Sequence, residues 1–309
     1  MLKLSKQNSP LKSCQSVAES FTVLMQQHLD YLEHWEAKAH SWEDIEGVHQ
    51  VRVGLRRMRS AMRLFRPAIP VEVGGPWANE MRELAQMLGP ARDMDVFISE
   101  GLTAISGHLP LPGEAALRQR AEEKRADAYI MVRQMLDSER YADFKRQFAN
   151  WLETEAWQQH TSDNLASLSE KHVRRLGKKV DSFARKRLDK QFQRVLQQGS
   201  AVDSQSAEQL HDLRIECKKL RYAAEFFTPL FSGMDQFIND LKGLQDLLGV
   251  INDAEVTRGL IEQLLEGHTD RDLERYADGV IGWRCCERYQ LQLQFNEHWE
   301  RFKVTKAPW

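Results

Sequence analysis

A segment of seventeen residues occurs twice in this chain, and the repeat limits the folds that the chain can adopt. The first copy runs from His49 to Phe65 and the second from His211 to Phe227, so equivalent positions are 162 residues apart without a gap. The histidine, the phenylalanine and most of the cations recur at the same places. A repeat of this kind predicts two related halves that arose by internal duplication.

Each copy, drawn as a helix, carries a cationic stripe beside an apolar face. At about 100° per residue, the first stripe is about 80° wide. Its members are His49, Arg52, Arg56, Arg59 and Arg63. The second stripe contains His211, Arg214, Lys218 and Arg221, and it is shorter because Glu225 stands where the first copy has Arg63. Arg57 and Lys219 lie about 80° from the stripe centre and are secondary candidates.

The first stripe lacks the acids that accompany an ordinary solvated face. Six arginines and no acidic residue lie between Gly47 and Val71. Like charges one helical turn apart repel each other. The sequence therefore predicts that an external anion, or acids from another element, offset this repulsion.

Charge is strongly segregated, although the formal net charge is only −2. The segments 49–66, 171–194 and 211–222 together carry 20 basic and 4 acidic residues. The rest of the chain is correspondingly acidic. This distribution predicts a cationic cleft that takes a concentrated polyanion, whereas a general DNA-binding protein is more often basic throughout.

A long basic helix is predicted from about residue 165 to residue 198. Four of its cations lie within about 60° of one another on a helix, with a fifth beside them. These are Lys171, Arg174, Lys178 and Arg185, with Arg175 adjoining. We expect this helix to extend the polyanion site and to make its second-half side the more positive one.

The remaining pattern predicts an all-α chain with halves at 12–160 and 161–303. Ser41 is expected to cap the helix that carries the first stripe, and that helix should end at Arg66–Pro67. The prolines and glycines at 67–76 predict a break before a helix at 77–88, and the equivalent helix at 234–248 should end at Gly249. The same register aligns Arg82 with Lys242, which adds two secondary candidates.

Neither the cysteines nor the N-terminal segment indicates export. The four cysteines show no C-x-x-C spacing, and no disulfide framework is evident. The first sixteen residues contain no long apolar run, so a signal peptide or membrane span is not expected. We expect a cytoplasmic protein without a membrane partner.

Four motifs together resemble the CHAD domain, the conserved-histidine α-helical domain. They are His-x-x-Arg-Val-x-x-Arg-Arg-x-Arg-Ser at 49–60, Leu-Gly-x-x-Arg-Asp-x-Asp-Val at 88–96, His-x-x-Arg-x-x-x-Lys-Lys-Leu-Arg-Tyr at 211–222, and Leu-Gln-Asp-x-Leu-Gly-x-x-Asn-Asp-Ala at 244–254. The resemblance covers residues 12–303 as a single domain.

The resemblance implies two pseudo-symmetric four-helix bundles around a basic central channel. It also implies non-catalytic binding of inorganic polyphosphate, association with polyphosphate granules, and contact with polyphosphate-metabolising enzymes. By position, the stripe residues named above are the binding candidates. No cofactor or metal is implied, and the alternating Glu-x-Glu-x-Lys strand of the catalytic domain often fused to this family is absent from the sequence.

Two other functions remain alternatives. His211-Asp212 could belong to a metal-dependent all-α phosphohydrolase, although its first-half equivalent is His49-Gln50 and its surroundings are cationic. Single-stranded RNA is also a polyanion, but its binding sites interleave aromatic residues with cations, and the two stripes contain no aromatic residue. The repeated acids Asp93, Asp95, Asp253 and Glu255 are expected to cap helices and neutralise arginines rather than to catalyse.

Overall fold

The computed structural model describes residues 11–158 and 170–309, and these residues form helices joined by short turns. No β-strand is present in these two ranges, which confirms the all-α class. The helices are α1 (Val17–Ser41), α2 (Glu46–Phe65), α3 (Val71–Met87), α4 (Gly89–Val96), α5 (Glu114–Leu136), α6 (Glu139–Glu153), α7 (Glu170–Leu176), α8 (Val180–Ala201), α9 (Ala207–Phe227), α10 (Met234–Leu265) and α11 (Arg271–Lys303). A π-helical turn, Phe97–Leu102, follows α4.

Helix α2 ends where the sequence predicts, but the predicted cap of α2 is wrong. Ser41 is the last residue of α1, and Ile45 precedes α2 without a side-chain cap. The capping box instead starts α1, where Ser16 and Glu19 bond each other's backbone N–H groups. Gly47 supports the tight connection, because a Cβ there would lie 2.4 Å from the backbone of α1.

The predicted break at 67–76 is shorter than the Pro and Gly pattern indicates. Helix α3 begins directly after Pro70 and includes Gly74, Gly75 and Pro76. Gly74 is buried, and a Cβ on it would lie 3.4 Å from the Met62 sulfur. The glycine therefore serves close packing of α3 on α2 rather than a turn.

Two further helix boundaries differ from prediction in opposite directions. Helix α10 continues through Gly249 to Leu265, whereas α3 and α4 are separated at Leu88. The basic segment is not one helix, because residues 177–179 separate α7 from α8. The start of the predicted basic helix and the predicted junction at 161–164 lie outside the described residues.

The core joins residues from both predicted halves. The larger buried cluster contains side chains of α1, α2 and α3 together with side chains of α8, α9 and α10. A smaller cluster combines buried residues between 94 and 121 with buried residues between 261 and 280. The hydrophobic core therefore extends across both predicted halves.

Backbone hydrogen bonds join the start of α1 to the start of α8, and one ring contact joins positions that the repeat register makes equivalent. The Val17 N–H donates to the Lys178 carbonyl at 2.8 Å, and the Val180 N–H donates to the Gln15 carbonyl at 2.9 Å. The rings of Phe65 and Phe227 lie 6.3 Å apart. The inferred duplication and its half boundaries at 12–160 and 161–303 stay predictions.

Candidate functional site

The two repeat helices pack against each other, and their cations meet at this contact. An ion pair joins Arg57 of α2 to Glu225 of α9, with Nη2 and Oε2 2.6 Å apart. The Arg56 guanidinium lies over the Tyr222 ring of α9, 5.6 Å from its centroid, and Arg221 lies 5.2 Å from the same centroid. We call this contact the α2–α9 crossing.

Arg56 is the most enclosed cation of the crossing. Burial lowers the pKa of its guanidinium, and the nearby charges of Arg52 and Arg221 lower it further. A half-buried cation among other cations is unfavourable unless an anion joins it. The geometry therefore brings Arg52 and Arg56 of the first stripe together with Arg221 of the second.

Lys218 belongs to the same group. Burial and the neighbouring charges of Arg214 and Arg56 lower the pKa of its ammonium to about 7. The carboxylate of Asp253 acts in the opposite direction. At neutral pH the amine is therefore only partly protonated, and an arriving anion would favour the charged form.

His49 lies at the start of the first stripe beside Arg92 of α4. Burial lowers the pKa of its imidazole to about 4, and the positive charge of Arg92 lowers it further. His49 is consequently neutral at pH 7, and it can accept or donate a single hydrogen bond. Arg92 is not among the binding residues predicted from the sequence, although it lies in the motif at 88–96 directly before Asp93.

The repeated aspartates face the arginines of the crossing. Arg52 Nη1 lies 3.9 Å from Asp93 Oδ1, and Arg214 Nη2 lies 3.9 Å from Asp253 Oδ1. The expected neutralising contacts are therefore present. The expected helix caps are not, because both aspartates lie inside helices, where they cannot bond the free N–H groups of a first turn.

Four arginines of the crossing retain a buried donor that nothing satisfies. Within the described residues, their Nε atoms are buried and have no hydrogen-bond partner. They are Arg56, Arg57, Arg214 and Arg221. Buried guanidinium donors of this kind are suited to oxyanions, because a phosphate oxygen accepts two parallel N–H bonds from one arginine.

The remaining stripe residues form a second group at the far end of α2. Burial lowers the pKa of Arg59, and the charges of Arg63 and Arg82 lower it further. Arg63 and Arg82 are exposed. The secondary candidate Arg82 thus lies near Arg59 of the first stripe.

The basic segment does not present its five candidates on one helical face. Lys171, Arg174 and Lys178 are exposed, and Lys178 lies in the break between α7 and α8. Arg175 Nη1 donates to the Pro67 carbonyl at 2.6 Å, which anchors α7 near the end of α2. Arg185 lies over the Phe231 ring, 4.7 Å from its centroid. The prediction of one basic face failed because residues 177–179 interrupt the helix between α7 and α8.

Three other candidates have different surroundings. Lys219 forms an ion pair with Glu216 on its own helix, and Glu216 also accepts from Gln191 of α8. Lys242 and His211 are exposed. Because Lys219 is paired with Glu216 on its own helix, it contributes at most at the margin of the crossing.

The phosphohydrolase alternative finds no cluster of ligands in the described part of the chain. Among residues 11–158 and 170–309, no group of three or more His, Cys, Asp or Glu side chains could hold a metal ion. His211 and Asp212 are both exposed. That alternative therefore rests on the dipeptide alone.

Replacing Lys218 with methionine is expected to stabilise the ligand-free protein near pH 7 by roughly 0.5–2 kcal/mol. The folded protein disfavours the charged amine, whereas the unfolded chain keeps the proton up to a pKa of about 10.4. Wild-type stability should therefore rise with pH between about 7 and 10. Melting temperatures across this range should show the variant's advantage shrinking as pH rises. Lys190→Met, at an exposed position of α8, is the control and should show no such trend.

No helix among the described residues has the length and apolar character needed to cross a membrane.

The chain is similar to known proteins in both sequence and structure. The family model of the CHAD domain matches residues 23–262. Two proteins of Mycobacterium tuberculosis, Uncharacterized protein MT2285 of strain CDC 1551 and Uncharacterized protein Rv2226 of strain H37Rv, are each 26% identical over 267 residues. The alignment covers 81% of this chain and 48% of each relative, so the chain spans about half the length of these curated relatives.

Two solved structures have the same fold. The crystal structure of the CHAD domain from the plant Ricinus communis superposes with a TM-score of 0.80 at 22% identity, covering 97% of this chain and 96% of that one. PptA from Streptomyces chartreusis superposes with a TM-score of 0.67 at 13% identity, covering 93% and 100%. At these identities, the likeness concerns the fold.

Proposed function

The chain belongs to the CHAD domain family, and from that premise we propose that it binds inorganic polyphosphate, without catalysing a reaction, at the α2–α9 crossing. Proteins of this family are known in general to bind polyphosphate. The observation that carries the proposal for this chain is the set of buried, unsatisfied arginine Nε donors contributed by both repeat helices.

The chemistry of the ligand matches this arrangement. Polyphosphate is a linear polyanion without bases, so its binding site needs closely spaced cations and no stacking surfaces. Helical positions three or four residues apart place cations about 5–6 Å from one another. Arg56 and Arg221 both lie over the ring of Tyr222. This side chain is only 4% exposed, so its ring is closed to a nucleic-acid base. These features favour polyphosphate over RNA.

The site residues of the proposal form a core and two extensions. The core comprises His49, Arg52, Arg56, Arg92, Arg214, Lys218 and Arg221. Arg59, Arg63 and Arg82 extend it along α2, and four candidates of the basic segment extend it beyond Arg175, namely Lys171, Arg174, Lys178 and Arg185. Location in the cytoplasm, on polyphosphate granules, and contact with polyphosphate-metabolising enzymes complete the proposal.

A competition assay at physiological ionic strength tests the ligand. Labelled long-chain polyphosphate is displaced by unlabelled polyphosphate, single-stranded RNA, duplex DNA or ATP, while phosphate release is followed with and without Mg²⁺. We expect polyphosphate to compete best and no phosphate to be released. Equal competition by RNA would make this a general polyanion site, and Mg²⁺-dependent release would favour the phosphohydrolase alternative.

Affinity is also expected to depend steeply on salt. If about six cations neutralise phosphates and each contributes about 0.7, as for single-stranded nucleic acids, the slope of log K against log salt is about −4. Binding should then weaken roughly 250-fold between 50 and 200 mM salt. Isothermal titrations at four salt concentrations measure the slope. A slope near zero would contradict electrostatic binding at this site.

A further inference from the structure

One carboxylate lies within the cationic crossing and bonds arginines from both helices. Glu225 Oε2 lies 2.6 Å from Arg57 Nη2 of α2, and Glu225 Oε1 lies 2.8 Å from Arg221 Nη1 one turn earlier on α9. The three side chains are only 20–22% exposed. Each oxygen of the carboxylate thus accepts from a different helix.

This is the contact that a phosphate group makes with two arginines. An oxyanion between two guanidinium groups accepts a charge-assisted bond from each of them. Arg57 and Arg221 also retain buried Nε donors without a partner in the described residues, so the carboxylate satisfies only part of their capacity. A tetrahedral phosphate offers more acceptor oxygens than the planar carboxylate that now occupies the position.

The equivalent position in the first repeat has the opposite charge. By the repeat register, Glu225 corresponds to Arg63 and Arg221 corresponds to Arg59. Arg59 and Arg63 are one turn apart with no acid between them, and Arg82 is the third cation that acts on Arg59. The first-repeat position therefore needs an outside anion, whereas the second-repeat position already contains one.

We infer that Glu225 is a built-in competitor of phosphate, which occupies a phosphate subsite between Arg57 and Arg221 and keeps it closed to the ligand. The inference rests on the proposed function and deepens it. A polyphosphate chain is held by Arg56, Lys218 and Arg214 and continues along Arg59 and Arg63. It is repelled where α9 presents Glu225. The carboxylate thereby limits how many phosphates the crossing binds and makes its two sides unequal.

Glu225→Gln tests the inference because glutamine keeps the shape of the side chain and removes its charge. We expect affinity for long-chain polyphosphate to rise about tenfold. The slope of log K against log salt should become steeper by about 1 to 2, since up to two more cations would neutralise phosphates. The matched control is Glu216→Gln, which removes another half-buried carboxylate of α9 that pairs with a cation, and whose contacts are to Lys219 and Gln191. The control should stay within twofold of wild type.

The reciprocal variant places the competitor in the first repeat. Arg63→Glu puts a carboxylate one turn from Arg59, as Glu225 is one turn from Arg221. The control is Arg66→Glu, which makes the same change of charge at the exposed residue that directly follows α2. We expect Arg63→Glu to lower the affinity for polyphosphate about tenfold more than Arg66→Glu does. Equal losses in the two variants would contradict a position-specific competitor.

A thermal melt separates a folding defect from the binding effect. Without ligand, Glu225→Gln deprives Arg57 and Arg221 of their carboxylate, so the variant should melt at a lower temperature than wild type. Tripolyphosphate should raise the melting temperature of the variant more than that of wild type. If wild type binds polyphosphate but Glu225→Gln gains neither affinity nor additional thermal stabilisation by tripolyphosphate, the inference is wrong and the proposed function stands. If neither protein binds polyphosphate, the proposed function fails and the inference fails with it.

Discussion

Reversing the charge of Arg56 and Arg214 together is expected to abolish polyphosphate binding and to leave the protein folded. Arg56 and Arg214 belong to different repeat helices and act on the same lysine, Lys218. Both have buried Nε donors without partners in the described residues. Losing a charge-assisted hydrogen bond costs about 1.5–3 kcal/mol. The loss of two such contacts should weaken binding roughly 100-fold or more.

The double variant Arg56→Glu/Arg214→Glu should keep its helicity because both substituted positions lie beside Lys218, although position 214 also lies near Asp253. A glutamate at position 56 would lie near Arg57, Lys218 and Arg221, and like-charge repulsion in the free protein would fall. Circular dichroism and thermal melting check the fold, and titration with polyphosphate measures affinity. The matched control is Lys186→Glu/Lys190→Glu on the exposed face of α8, which changes the net charge equally. Wild-type affinity in the Arg56/Arg214 variant would refute the site.

Replacing Phe65 with alanine is expected to destabilise the protein by about 3–5 kcal/mol. The Phe65 ring is fully buried and contacts rings from three other helices. Its centroid lies 5.4 Å from Phe21 of α1, 5.2 Å from Phe183 of α8 and 6.3 Å from Phe227 of α9. Removing the ring leaves a cavity between the two repeats, and the surrounding helices can close it only in part.

Chemical denaturation measures this effect against an exposed aromatic. Tyr289 of α11 is 56% exposed, and Tyr289→Ala should change stability by no more than about 0.5 kcal/mol. Since Phe65 contacts elements of both repeats, Phe65→Ala should also weaken polyphosphate binding by loosening the crossing. Similar stabilities for the two variants would show that the contact between the repeats does not depend on this ring.

Local patterns were sufficient where one helix face decides the structure. The spacing of apolar residues and the Arg66–Pro67 signal located the end of α2. The same spacing grouped Arg52 with Arg56 on one face of α2, whereas the tertiary structure brought Arg82 near Arg59. The end of α2 and the grouping of Arg52 with Arg56 depend on helical geometry, which the order of residues encodes directly.

Glycine and serine were the residues that misled the sequence analysis. Gly249 lies inside α10, whereas Gly177 lies in the break between α7 and α8. Ser41 ends a helix, while Ser16 caps one. A glycine can lie in a turn, allow close packing or occupy an ordinary position within a helix. Which of these applies depends on residues that are distant along the chain.

The sequence alone determined that the chain is all-α and that two related helices carry lines of cations, because residue spacing on a helix fixes which side chains share a face. Only the tertiary structure decided how these cations pair. It joined Arg57 to Glu225, put Arg92 beside His49 and enclosed Arg56 against Tyr222. These are contacts between helices, and they depend on the angle and depth at which the helices pack, which periodicity within a single helix does not specify.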